Sequence, residues 1–452
     1  MLKTPGAVLA VGAFVFMVAE PVSSPRPAVS PPDSTDYDTW YHGLRDAAPD
    51  PNRGAAVQNL TITRDEATFE LIEGELHLMK PIAGRTVGAV FVGRGRFSMT
   101  PPTQIERDQL ERFFEAEGLA ADIRTAVLFF TDETVDELSA SVEWGPRTPP
   151  SNARREIEEA LKYLSDDDGW MQRDLMLPML NGSPGFFYAH VAESRGDPVI
   201  FTINPYDFEE VSLSRRAKET RGQVREVVTQ FHQRTDYEQG GSRPQEALDL
   251  VRVHHYDVES TIESNLDFSA VATATVERVA TDHRWIPFSL FYELEVDSIV
   301  WADGSPAGFH RPKESSDLWI DFSSAPSDST ILTFFYEGDL LDRERNLWVE
   351  VRSSTTWYPL YASWRLATHR LTFHTAEKFK LVSVGTQIAE TADEEMVTTV
   401  WETPPVRQIT FNLGEFEEFT VDDPRNRDAD TLPCAAARVR VVRPVSDVVR
   451  VR

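Results

Sequence analysis

Ten histidines are the side chains of this 452-residue chain with the widest reach for chemistry. None is followed by glutamate. The H-E-x-x-H pattern, which puts two imidazoles on one helix face and a carboxylate beside a metal-bound water, therefore does not occur. His190 and Glu193 make an H-x-x-E without a second histidine. His254 and His255 are adjacent, and in a strand adjacent side chains point to opposite faces, so the pair is not expected to share a ligand. His369 and His374 lie in TTWYPLYASWRLATHRLTFH (355–374), five residues apart. That odd spacing separates them in a strand, with His369 beside Leu371 and Phe373 on the core side and His374 beside Arg370 and Thr372 on the solvent side.

Other chemistries have less support. There is no G-x-S-x-G and no GxxxxGK[ST] phosphate loop. GSPG (182–185) and DGSPAG (303–308) read as turns. A serine, a histidine and an aspartate can still meet only in space, since triads are defined by geometry. Gly93 and Gly95 form a G-x-G, but a strand and not a helix follows, which argues against dinucleotide binding. Cys434 is the single cysteine, so intrachain disulfides and cysteine-based zinc sites are excluded.

The elements that must position these residues are mostly strands. AVQNLTIT, ATFELIEGELHLM and TVGAVFVGRGRFSMTPP alternate and are separated by glycine-marked turns. Ile105, Leu110, Phe113 and Phe114 lie at helical spacing in 104–117, and Ile157, Leu161 and Leu164 in 151–164, with Ser151 or Asn152 as N-cap. Residues 33–55 read as a linker, and the polar run 236–246 as a boundary. Beyond it at least eight strands follow one another. The expected fold is mainly β with some α: a mixed, sheet-dominated domain over 33–240, then an antiparallel β-sandwich or saddle-like domain over 241–425.

Length and apolar content, 41%, allow a sizeable core. The formal charge of −28 repels phosphate backbones, so no nucleic-acid partner is expected. Lys3 followed by the apolar run Ala7–Ala19 reads as an export signal, with a Pro- and Ser-rich stretch to residue 32. The expected location is periplasmic or extracellular, with no stable membrane span once the signal is removed. Residues 426–452 are arginine-rich in an acidic chain. They read either as a basic edge strand or partner-binding tail, or as an out-of-frame product.

Five segments carry a family resemblance. VRVHHYDVESTIESNLDFSAVATATVE, FYELEVDSIVWADGSPAGF, STILTFFYEGDL, TTWYPLYASWRLATHRLTFHTAEKFKLVSVGT and VWETPPVRQITFNLGEFEEF occur in that order over 249–420. Together they resemble the N-terminal β-domain of the membrane alanyl aminopeptidases, the gluzincin family. FELIEGELHLMKPIAGRTVGAVFVGRGRFSMTPP also resembles an N-terminal extension of exported aminopeptidase-like proteins.

The resemblance implies a scaffold and substrate lid, with zinc, H-E-x-x-H, a distal glutamate and G-x-M-E-N in a following catalytic domain. None of those motifs is present. NLWVEVRSS lacks the glutamine that some members carry, and Leu360 stands where members often have a charged residue or cysteine. No catalytic, cofactor-binding or metal residue is therefore carried over, and no cofactor is expected in this chain. The expected partner is its own missing catalytic domain or a peptide, and peptidase activity is expected only if such a domain follows. Trp357, Tyr358 and Pro359 are expected at the junction with it, or as ordinary core aromatics. The rival readings are a stand-alone extracytoplasmic binding or assembly module, and an enzyme whose site gathers around His190, His254 or His255 in space.

Overall fold

Alternation from Ala67 to Leu71 buries every second side chain, Phe69 and Leu71 among them, and after a bulge at Leu71/Glu73 the strand ends on Leu76–Met79, buried on both faces. The computed structural model describes residues 35–165, 171–193, 197–216, 225–238, 248–313, 315–341, 348–393, 395–414, 416–421 and 439–444. The export signal and Cys434 lie outside them, as does most of the basic tail. The first region holds β1 (Pro49–Arg64), β2 (Ala67–Met79), β3 (Gly88–Met99), β4 (Leu119–Phe130), β5 (Phe187–Ala192), β6 (Val199–Ile203), β7 (Val211–Arg216) and β8 (Arg225–Phe231). These pair in sequence order as one antiparallel meander.

That sheet curls strongly. Phe69 on β2 lies 6.0 Å from Phe201 on β6, ring centre to ring centre. Four flat strand spacings would put them about 19 Å apart. The concave face is therefore filled by side chains, Phe69, Phe97, Phe187 and Phe201 at its centre. Gly74 and Gly93 are cross-strand partners at a bulge, and a Cβ on Gly93 would lie 2.2 Å from the Glu73 carbonyl. The G-x-G thus permits close backbone approach.

Six α-helices accompany the strands among the described residues: α1 (Thr35–Arg45), α2 (Gln104–Phe114), α3 (Thr134–Ser141), α4 (Ala153–Leu161), α5 (Arg173–Asn181) and α6 (Arg234–Glu238). The linker expected over 33–55 is instead α1 and the start of β1. Tyr37, Trp40, Tyr41 and Leu44, spaced three, four and seven apart, are buried against the rest of the protein. In α2, Leu110 is buried but Ile105 is 73% exposed, so the expected apolar stripe is narrower. Asn152 caps α4 without a side-chain hydrogen bond.

The second region holds β9 (Val251–Ile262), β10 (Phe268–Arg278), β11 (Trp285–Ser289), β12 (Leu294–Trp301), β13 (Gly308–His310), β14 (Asp317–Asp321), β15 (Ser329–Gly338), β16 (Trp348–Val351), β17 (Ala367–Ala376), β18 (Lys380–Ser383), β19 (Thr386–Ala392), β20 (Met396–Val406) and β21 (Phe411–Gly414). A seven-stranded sheet runs β12-β15-β10-β9-β17-β20-β19, with β9 and β17 parallel. Two three-stranded sheets, β11-β14-β13 and β16-β21-β18, lie over its inner face. Phe288 on β11 meets Phe334 on β15 at 5.9 Å, and Phe411 on β21 meets Phe373 on β17 at 5.1 Å. This is a sandwich core. The protein is thus mainly β, and β22 (Phe416–Val421) pairs with β23 (Val439–Pro444), the described part of the basic tail.

Candidate functional site

The periodicity argument for β17 holds in three dimensions. His369 is buried and stacks on Tyr256 at 5.3 Å, while His374 faces outward, with ring nitrogens 2.9 Å from Glu259 Oε1 and 2.9 Å from Thr398 Oγ1. His254 and His255 break the expectation. A β-bulge sets two residues of β9 against Thr275 of β10, so neither turns inward. His254 is exposed with Nε2 3.1 Å from Glu277 Oε2, and His255 Nδ1 lies 2.8 Å from Thr368 Oγ1. His190, on β5, is buried against Tyr163. Burial pulls its pKa down to about 4, so it stays neutral at pH 7.

Trp357, Tyr358 and Pro359 lie in the interior of this chain. The Trp357 ring contacts Phe373 on one sheet and Phe411 on the other, and its N–H donates to the Ile409 carbonyl at 3.0 Å. None of the three offers exposed surface. Trp364 and Leu366, a few residues on, are 42% and 58% exposed.

A constellation that no sequence motif marks gathers between the two regions. Ser183 follows α5, whose C-cap Gly182 turns the chain at φ +66°. Tyr206 follows β6, and His283 precedes β11. Ser183 Oγ lies 3.1 Å from His283 Nε2, the Tyr206 hydroxyl lies 2.7 Å from the same nitrogen, and His283 Nδ1 lies 2.8 Å from Asp282 Oδ1. The Tyr206 hydroxyl also contacts Ser183 Oγ. Asp282 fixes the Nδ1–H tautomer, which leaves Nε2 as an acceptor. The aspartate–imidazole–hydroxyl order is that of a nucleophilic triad.

Its surroundings do not suit that chemistry. The Tyr206 hydroxyl occupies the space beside Ser183 Oγ and Nε2 that a substrate carbonyl and its leaving group need. Burial raises the Tyr206 pKa to about 12, so it remains a donor. The Asp282 side chain is 82% exposed, where water weakens its hold on the imidazole.

What the cluster does is join the two regions, and its neighbours do the same. Asn181 exchanges two hydrogen bonds with the Trp285 backbone, at 2.9 and 2.8 Å. Arg173 reaches Asp317 at 3.0 Å and the Phe288 carbonyl at 3.2 Å, and Arg284 joins Asp36 to Asp321. Tyr37 stacks on His310 at 3.9 Å. Ser183→Ala is therefore expected to cost about 1 kcal/mol, and His283→Ala about 1–3 kcal/mol because two hydroxyls lose their partner. Neither should alter hydrolysis of p-nitrophenyl acetate. Urea unfolding and that assay check both statements.

Among the described residues, Glu210, His232 and Asp236 bring three metal-ligating side chains together, with donor atoms all within 4.8 Å of one another. No helix among the described residues is long and apolar enough to cross a membrane. A cleft of about 300 Å³, lined by Phe379, Lys380 and Gln387 among others, shares no residue with the seam.

No family model matches the sequence, and no curated protein does. Solved structures similar to part of the chain include an M1 zinc metallopeptidase from Deinococcus radiodurans, at 16% identity and TM-score 0.31. That match covers 38% of this chain and 43% of the metallopeptidase. A two-domain M1 zinc metallopeptidase variant bound to L-tryptophan is similar at the same identity and TM-score, with 38% and 44% covered. The chain spans less than half the length of these proteins.

Proposed function

We propose that this chain is the non-catalytic N-terminal portion of an exported zinc-aminopeptidase-like protein, serving as scaffold and substrate lid. The observation that carries the reading is the order of its five aminopeptidase-like segments. In chain order they fall on β9–β10, β12–β13, β15, β17–β18 and β20–β21, strands whose buried side chains share one core. A scaffold needs rigidity, and the seam through Arg173, Asn181 and His283 supplies it by tying the first region to that sandwich. The purified chain should release no detectable product from alanyl- or leucyl-p-nitroanilide, with zinc added or withheld. Zinc-dependent turnover would overturn the reading.

A second reading is a stand-alone extracytoplasmic binding or assembly module. Exposed Trp364 and Leu366, two residues apart in the chain, are the apolar side chains such a module would offer a partner. Size-exclusion chromatography separates the two. A defined monodisperse species supports the module, and concentration-dependent aggregation supports a portion lacking its partner domain.

A further inference from the structure

We propose that Glu210, His232 and Asp236 form a divalent transition-metal site in the first region, with zinc as its ion. The strand pairing builds it. Val211 and Phe231 are register partners of β7 and β8. Glu210 precedes the one and His232 follows the other, so they are the next facing pair at the end of that hairpin. Asp236 lies four residues after His232, in the short helix α6 that follows the strand.

The distances suit an ion. His232 Nδ1 and Glu210 Oε2 are 3.3 Å apart. A tetrahedral zinc site with bonds of about 2.0–2.1 Å has donor atoms about 3.3–3.4 Å apart. Asp236 is half-exposed, and its carboxylate oxygen lies within 4.8 Å of the other two donor atoms. One imidazole with two carboxylates is a donor set that zinc takes readily. It leaves a fourth position for water on the open side.

The electrostatics agree. Glu210 and His232 are both buried, 3% and 8% exposed. Glu106 and Glu209 lie in the same acidic corner. The cation nearest in sequence, Arg234, is held by Glu66 at 2.6 Å. A buried carboxylate in that field is stabilised by a bound cation. Phe208 and Tyr237 stand edge-on to the His232 ring at 5.1 and 6.1 Å and limit its rotation. The site is separate from the scaffold reading and stands if that reading fails.

The test uses the whole chain stripped with EDTA and titrated with zinc alone, by calorimetry and by metal analysis after desalting. One zinc per chain is expected, with a rise in thermal midpoint on binding. Asp236→Asn and His232→Ala should each weaken binding about tenfold or more. Asp236 sits at the half-exposed rim, so its substitution leaves the fold intact even if His232→Ala does not. His254→Ala, on the outer face of the other region, should bind like the wild type. Failure to take up stoichiometric zinc overturns the proposal, and so does uptake that survives both Asp236→Asn and His232→Ala.

Discussion

Trp357→Ala is expected to lower the unfolding free energy by about 3–5 kcal/mol. Its indole is fully buried between the two layers of the sandwich, with Phe268, Tyr358, Phe373 and Phe411 around it. Truncation leaves a cavity that strands on both sides must close, and strands held in register move little. It also strips the Ile409 carbonyl of the indole N–H. Trp357→Phe keeps most of the ring and loses that bond, so about 1–2 kcal/mol is expected. Urea unfolding followed by circular dichroism reads both. The loss is a large share of the roughly 5–15 kcal/mol that holds a typical domain. A loss below about 1 kcal/mol for Trp357→Ala would mean that the indole is not a keystone of this core.

The sequence made legible whatever depends on local periodicity. Residues 67–79 form β2 over the whole segment read as a strand, with alternation legible over Ala67–Leu71, and the two faces of β17 follow from the spacing of His369 and His374. Features set by a partner strand were hidden. The bulge that keeps both His254 and His255 out of the core exists because of how β9 meets β10, and no local signal marks it. The helix α1 was readable, since Tyr37, Trp40, Tyr41 and Leu44 follow the helical spacing. Its proline- and aspartate-rich flanks concealed it. The seam was not readable at all. Ser183 and His283 are 100 residues apart, as far as any two unrelated positions. Glu210 and His232 are linked only once the register of β7 and β8 is known.

Between pH 6.5 and pH 4, two buried histidines and one aspartate should act on stability with opposite signs. Burial depresses the pKa of His190 and of His369 from 6.5 to about 4. The unfolded chain takes up a proton at each as pH falls through 6.5, and the folded chain does so only near 4. Their contribution is complete above pH 6.5 and is lost as pH falls, by roughly 3 kcal/mol each over the window. Burial and neighbouring carboxylates raise Asp207 from 3.8 to about 7, so there the folded chain binds the proton first. Its contribution grows as pH falls and is lost as pH rises through 7. The three together bind two protons in the unfolded state and one in the folded state. The net loss on acidification is therefore about 1.4 kcal/mol per pH unit. His369→Phe, which keeps a ring against Tyr256, should cancel that slope relative to the wild type. Asp207→Asn should double it to about 2.7 kcal/mol per unit. Urea-unfolding free energies at pH 4.5, 5.5 and 6.5 in EDTA give the three slopes, and all other groups cancel in their differences. Parallel lines for the wild type and His369→Phe would show that His369 titrates as it does in water, and that its stacking on Tyr256 does not hold it neutral.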